Sequence, residues 1–217
     1  MPEEVKGLLD KDKMERGVAA LDEAMGKDPL IYAYSPITMI SPGGYPAVTY
    51  FRNRATTEDI DIIIDPEHAS DKDIADLIHE KMTEVGEGLG LGRGWMNDAV
   101  NLFLTKEARQ SLFKDAEQQN IVLWGGENLK ILAPPLAWGI ETKLRRLTTK
   151  PGHHKMPTDV EDILVMLNTL IGGKGVPLKR QEVQAWNRNG FDVMIKGHVL
   201  DMIAEAYQSR YGMFPFC

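Results

Sequence analysis

The chain has 217 residues, 43% of them hydrophobic and 26% charged, with a formal net charge of −7. That is enough for one packed domain, or a core with a helical appendage, and the acidic balance disfavours broad sequence-independent nucleic-acid binding. One cysteine, Cys217, excludes an internal disulfide framework and a cysteine-rich zinc site. No apolar run approaches the ~20 residues of a membrane span. The opening Met-Pro-Glu-Glu lacks the basic and apolar parts of a secretion signal, so a soluble cytoplasmic protein is expected.

Residues 3–25 read as a helix, with Val5, Leu8, Leu9, Val18, Leu21 and Met25 at roughly helical spacing. Gly17 reads as a bend in it or a split into two, and Gly26 and Pro29 close it. Leu30 to Tyr34 and Ile37 to Ile40 are short apolar runs, the second a buried strand that feeds Pro42-Gly43-Gly44. Pro46 suits the first position of a short helix through Ala47, Val48, Tyr50 and Phe51. A polar connection, Arg52 to Glu58, leads to a strand over 59–64 that Pro66 stops. Asp71 starts a helix with Ile74, Leu77, Ile78 and Met82 on one face. The alternating glycines from Gly86 to Gly94 follow a helix rather than a strand, so they read as a flexible connection and not as a dinucleotide fingerprint.

Residues 98–118 read as mostly helical, with Leu102, Phe103, Ala108, Leu112, Phe113 and Ala116 as the apolar set. Ile121 to Trp124, a Gly-Gly-Glu-Asn turn and Leu129 to Leu132 make a β-hairpin. Pro134-Pro135 opens a helix to about Leu147. A polar loop over 148–157 follows, then a helix capped by Thr158 with Val160, Ile163, Leu164 and Leu167 inward. Gly172 to Gly175 break that helix. Two helices, Pro177 to Asn187 and Phe191 to Tyr211, end the chain. The pattern predicts an α+β fold: a small mixed β-sheet core flanked by helices, with a helical C-terminal part. The expected divisions are an N-terminal helical segment (1–29), an α/β core (30–133) and a helical region (134–217).

Two features carry chemistry. On a strand, Asp59 and Asp61 point to one face while Ile60, Ile62 and Ile64 point to the other. Paired carboxylates suit magnesium, which is usually held by one or two of them together with substrate phosphates. Gly43-Gly44 lets backbone N–H groups approach phosphate oxygens. Each feature alone also suits a plain structural role, a decorated strand start and a tight strand-to-helix turn.

Taken in order, Gly43-Gly44, a short helix and Arg54-Ala55-Thr56-Thr57-Glu58-Asp59-Ile60-Asp61 resemble the polymerase-beta-like nucleotidyltransferase superfamily. The nearest look is to its minimal members, including the AbiEii-type toxin nucleotidyltransferases. There a glycine pair precedes an Arg-x-Thr-x-Asp-Ile-Asp run, and this chain has one extra residue between Arg54 and the first acid. Ile131-Leu132-Ala133-Pro134-Pro135, a helix bearing Lys143, and Thr158-Asp159-Val160-Glu161-Asp162-Ile163 resemble the family's later pattern. Trp95-Met96-Asn97-Asp98 is similar to a run in some minimal members. The resemblance spans roughly residues 37–167.

The resemblance implies a nucleotidyltransferase core and a cytoplasmic, magnesium-dependent enzyme that moves a nucleoside monophosphate from a nucleoside triphosphate such as ATP to an acceptor hydroxyl. Asp59 and Asp61 would be catalytic and bind Mg2+. Gly43, Gly44, Arg54, Thr57, Lys143, Asp159 and Asp162 would form the nucleotide site. Asp159 and Asp162 share a helix face and would support Lys143 or Arg146. Without that role, Lys143 is a solvated helix lysine and Asp159 a first-turn acid.

The departure is a third carboxylate, which many members carry on a neighbouring strand. The candidate segment, Val100-Asn101-Leu102-Phe103, has asparagine instead, and Asp98 reads as a helix cap or a substitute. That leaves a degenerate, binding-only module as an alternative. Another is a toxin-type enzyme acting on tRNA or other RNA through the basic stretch Lys143, Arg145, Arg146, Lys150, His153, His154 and Lys155. The acceptor is otherwise a small molecule or a protein. Trp95, Trp124, Trp138 and Trp186 are candidates for stacking on a base.

Overall fold

A computed structural model describes residues 7–172, 175–188 and 193–217. The fold is α+β, with small mixed sheets among helices. The chain divides into two compact units, one up to Pro134 and one from Pro135. Among the described residues, no helix is long and apolar enough to cross a membrane.

The first unit opens with a two-residue strand, β1 (Leu9–Asp10), where a helix was expected from residue 3; residues 3–6 lie outside the described residues. Asp10 caps α1 (Lys11–Gly26) by accepting from the Lys13 N–H. Met14, Val18, Leu21 and Met25 form the buried stripe of α1. Gly17 does not split it, since α1 runs unbroken from Lys11 to Gly26. Instead the Trp95 ring lies against Gly17, with ring carbon Cζ3 2.5 Å from where a Cβ would stand. Pro29 does not close α1 either; it begins α2 (Pro29–Tyr32), capped by Asp28.

Next come β2 (Ile37–Ile40), α3 (Gly44–Thr49), β3 (Thr56–Thr57), β4 (Ile60–Asp61) and β5 (Ile63–Ile64). The expected strand over 59–64 is one extended run with two sets of partners. β5 pairs antiparallel with β2, whereas β4 pairs parallel with β6 (Met96–Asn97). Between β5 and β6 lie α4 (Pro66–Ala69) and α5 (Lys72–Gly88), the latter capped by Asp71 as expected. Leu77, expected on the inward face of α5, is only partly buried, while Ile74, Ile78 and Met82 are buried. The glycine run after α5 turns at Gly90 and Gly92, both with positive φ.

The region expected as one helix over 98–118 is split. A 3-10 helix (Ala99–Phe103) precedes α6 (Lys106–Gln119), which Thr105 caps. Leu102 is 83% exposed, so it belongs to no buried face, while Leu112, Phe113 and Ala116 are buried. The hairpin is β7 (Val122–Gly125) and β8 (Leu129–Leu132). β8 pairs parallel with β2, giving a four-stranded sheet in the order β5-β2-β8-β7. Asp22 of α1 fastens the hairpin by accepting from the Asn128 and Leu129 N–H groups at 2.8 and 2.7 Å. The core of this unit combines the α1 stripe, Ile37 and Met39 of β2, Ile60, Ile62, Ile64, the α5 face, Trp95, Leu129 and Ile131.

The second unit is helical: α7 (Leu136–Thr149), α8 (Met156–Gly172), α9 (Arg180–Gln184) and α10 (Gly197–Tyr211). Thr158 is not the cap of α8 but lies within its first turn, two residues after the helix begins, where Pro157 is also tolerated. α9 is much shorter than Pro177 to Asn187, because the preceding backbone is used elsewhere: Leu178 N–H donates to Pro215 and its carbonyl accepts from Cys217. α10 starts at Gly197; Phe191, expected to open it, lies outside the described residues.

Candidate functional site

The site of the first unit forms where β2 ends. Ser41 leaves the sheet fully buried and its hydroxyl donates to the Asp61 carbonyl at 2.7 Å. This bond fixes the turn against β4. Gly43 then has φ +78°, a conformation that L side chains rarely adopt. A Cβ there would also stand 2.7 Å from Asp61 Oδ2. The Asp61 carboxylate therefore lies directly against the Gly43 turn. Gly44 starts α3 against β3: a Cβ on it would stand 2.0 Å from Thr57 Oγ1 and 2.4 Å from Thr57 Cβ. Gly43 is required by its positive φ and Gly44 by its close approach to Thr57, and each adjoins a residue singled out in the sequence.

Asp59 and Asp61 flank Ile60, which is fully buried, as is Ile62. Both acids are half-buried, so the alternation expected of an extended run holds across the pair. β6 holds this run in place. Ile60 N–H donates to the Trp95 carbonyl at 2.7 Å and Ile62 N–H to the Asn97 carbonyl at 2.8 Å. The pairing puts Asn97 opposite Asp61. The Asn97 amide donates from Nδ2 to Asp59 Oδ2 at 3.2 Å.

Asn97 thus occupies the neighbouring-strand position that the sequence reading assigned to Asn101. Asn101 lies in the 3-10 helix and donates to Asp98 at 3.1 Å. Asp98 makes no side-chain cap bond to that helix. Its carboxylate instead sits 3.2 Å from His79 Nε2 on α5. Arg54 is half-buried in the loop before β3. Trp95 and Trp138 are buried and offer no stacking face; the Trp95 indole N–H donates to the Met82 carbonyl at 2.8 Å.

Lys143, Asp159 and Asp162 belong to the second unit and come together there. Lys143 Nζ lies 3.0 Å from Asp159 Oδ1 and 2.7 Å from Asp162 Oδ2. Arg146 adds a two-pronged contact to Asp159, from Nε at 2.7 Å and from NH2 at 2.6 Å. Lys143, Asp159 and Asp162 are all buried, so the plain alternative of a solvated lysine is not what forms, and the two acids contact Lys143 while Asp159 also contacts Arg146. Burial alone would raise the Asp159 carboxyl, but the Lys143 charge and the Arg146 bonds outweigh it and hold it below its ordinary value. His153 Nδ1 accepts from the Lys155 N–H at 3.1 Å, and its Nε2 lies 3.5 Å from Asp159.

Arg145 is also buried, bonded to Glu141 at 2.9 Å and to the carbonyls of Trp186 and Val193. Glu141, fully buried, also accepts from the Arg188 N–H. The charges of Lys143, Arg145 and Arg146 are therefore matched by Glu141, Asp159 and Asp162. The basic stretch read from the sequence is in large part internal pairing.

No known protein family, curated protein or solved structure matches the chain.

Among the described residues, no group of three or more His, Cys, Asp or Glu side chains is arranged to hold a metal. The first unit instead offers two hard carboxylate donors beside a backbone turn that has no Cβ. Such a donor set fits a cation shared with phosphate oxygens.

Proposed function

We propose that the first unit is the catalytic part of a magnesium-dependent nucleotidyltransferase. It would move a nucleoside monophosphate from a nucleoside triphosphate to an acceptor hydroxyl. The observation that carries this reading is the Asp61 carboxylate lying against Gly43, with Asp59 one buried residue away. That arrangement puts metal-type oxygens next to backbone that phosphates can approach.

In this reading Asp59 and Asp61 hold Mg2+ jointly with the triphosphate. Mg2+, when bound, neutralises phosphate charge and favours departure of pyrophosphate. The chain's own part is positioning. The Gly43 turn would present its backbone to the triphosphate beside Asp61, Gly44 lets α3 pack closely on Thr57, and Ser41 and β6 fix the angle at which Asp59 and Asp61 face the turn. The acceptor hydroxyl would lose its proton to solvent as its oxygen bonds to the α-phosphorus, and the bond from that phosphorus to the oxygen bridging to the β-phosphate would break to release pyrophosphate.

Asp61→Asn tests this. Magnesium-dependent pyrophosphate release is expected to vanish while circular dichroism and thermal unfolding stay as in the wild type. Turnover unchanged in that variant overturns the assignment.

A second reading, a nucleotide-binding module without transfer, is favoured by Asn97 standing where a third acid would stand. Calorimetry with ATP, GTP and Mg2+, run beside a labelled-nucleotide transfer assay, separates the two. Binding without transfer supports the module. An RNA acceptor draws less support, because Lys143, Arg145 and Arg146 spend their charge on Glu141, Asp159 and Asp162.

A further inference from the structure

Asn97 is held at both ends. Its Oδ1 accepts from the Ala99 N–H at 3.2 Å, and its Nδ2 donates to Asp59 Oδ2 at 3.2 Å. Both partners dictate the same orientation. A backbone N–H only donates, so the atom facing Ala99 is the oxygen; an ionised carboxylate only accepts, so the atom facing Asp59 is the nitrogen. An aspartate at 97 would satisfy Ala99 equally well. Towards Asp59, however, it would set oxygen against oxygen, which calls for a cation or a shared proton between them.

We propose that Asn97 is a positioning residue that orients Asp59 and makes capture of the divalent cation depend on the nucleotide. This rests on the nucleotidyltransferase reading of the same site. With an amide beside the acidic pair, the chain contributes two carboxylates, and among the described residues no third His, Cys, Asp or Glu side chain joins them. Magnesium-like ions held by one or two carboxylates complete their shell with substrate phosphates and water. The cation therefore enters with the triphosphate rather than residing in the free protein. The Asn97 bond keeps Asp59 turned correctly until it does.

The test is calorimetry with Mn2+ alone, and with Mn2+ plus a non-hydrolysable ATP analogue, on the wild type, Asn97→Asp and Asn97→Ala. The wild type is expected to take up Mn2+ only together with the analogue. Asn97→Asp is expected to bind Mn2+ alone at least about tenfold more tightly than the wild type. Asn97→Ala is expected to keep the requirement for the analogue but to lose about tenfold in affinity for the Mn2+–analogue pair, the usual scale for removing an outer partner of a metal ligand. A purely structural asparagine would leave both affinities unchanged. The proposal is overturned if wild type binds Mn2+ alone as tightly as Asn97→Asp. If Asn97→Asp does not fold, unchanged Mn2+–analogue affinity in Asn97→Ala overturns it. A wild type that binds no analogue sinks the nucleotidyltransferase reading. A wild type that binds it, while folded Asn97→Asp gains no Mn2+ affinity, sinks this proposal alone.

Discussion

Asp61 Oδ2 lies 2.7 Å from the point where a Cβ on Gly43 would stand. The two residues are 18 apart in the chain, yet a side chain on Gly43 has no room unless the Asp61 carboxylate moves. Gly43→Ala combines this collision with a positive φ, so a backbone cost of about 1–3 kcal/mol is expected from strain. The larger effect is expected on function, because relief of the clash swings the Asp61 carboxylate away from the turn. Urea unfolding should show a folded variant with reduced stability, and calorimetry should show loss of Mg2+–nucleotide binding. Full binding in a Gly43→Ala protein would remove the role given to this contact.

Gly17 allows a test whose sign is informative. Helix propensity alone makes Gly17→Ala stabilising by about 1 kcal/mol. The Trp95 ring, however, lies 2.5 Å from the Cβ position and is itself buried, bonded through its indole to Met82. Overpacking is therefore expected to dominate, with a net loss of about 1–3 kcal/mol in chemical denaturation. A stabilised Gly17→Ala would show that α1 and Trp95 part easily.

Gly17 also shows where the sequence is legible. Features written locally are readable: the Asp71 cap, the hairpin over 121–132, the glycine pair and the Asp-Ile-Asp alternation. Each depends on residues within a few positions of one another. The contact of Gly17 with Trp95 depends on two distant segments, so the glycine reads as a helix bend. Trp95-Met96-Asn97-Asp98 is noticed as a run, but the place of Asn97 beside Asp59 and Asp61 is not, for a related reason. Strands β4 and β6 have two residues each, too few for any periodicity, and their pairing joins residues more than 30 positions apart. The pairing of Lys143 with Asp159 and Asp162 is read only through the resemblance, and its burial is not read at all, because those acids lie one helix further on, beginning 16 residues away.

That acid cluster makes a stability prediction for the second unit. Asp159→Asn removes the partner that Lys143 and Arg146 share, but Lys143 keeps Asp162 and Arg146 reaches solvent, so a loss of about 1–3 kcal/mol is expected. Thermal or urea unfolding followed by a probe in this unit, such as Trp138 fluorescence, measures it. A change below about 0.5 kcal/mol would mean that water already reaches the cluster.

The same carboxylate sets a pH dependence. Asp159 has a lowered value in the folded protein, so the unfolded chain binds more protons around the ordinary carboxylate range. Its contribution is present above about pH 4 and declines as pH falls through the lowered folded value. Unfolding free energy of the wild type is expected to drop more steeply with acid in this window than that of Asp159→Asn. Parallel slopes for the two proteins would contradict this.

The parallel pairing of β2 with β8 has a consequence for how the molecule is made. Ile37–Ile40 emerges early from synthesis, but its partner Leu129–Leu132 emerges almost a hundred residues later. Until then one side of a short, buried, isoleucine-rich strand is an open edge, and such edges recruit other chains. Non-local pairing of this kind is also slow to form. The glycine turn that follows β2 is therefore among the last parts to reach its final place. A nascent chain stopped before Leu129 would contain both aspartates and both glycines, and would be expected to aggregate before it could bring them together.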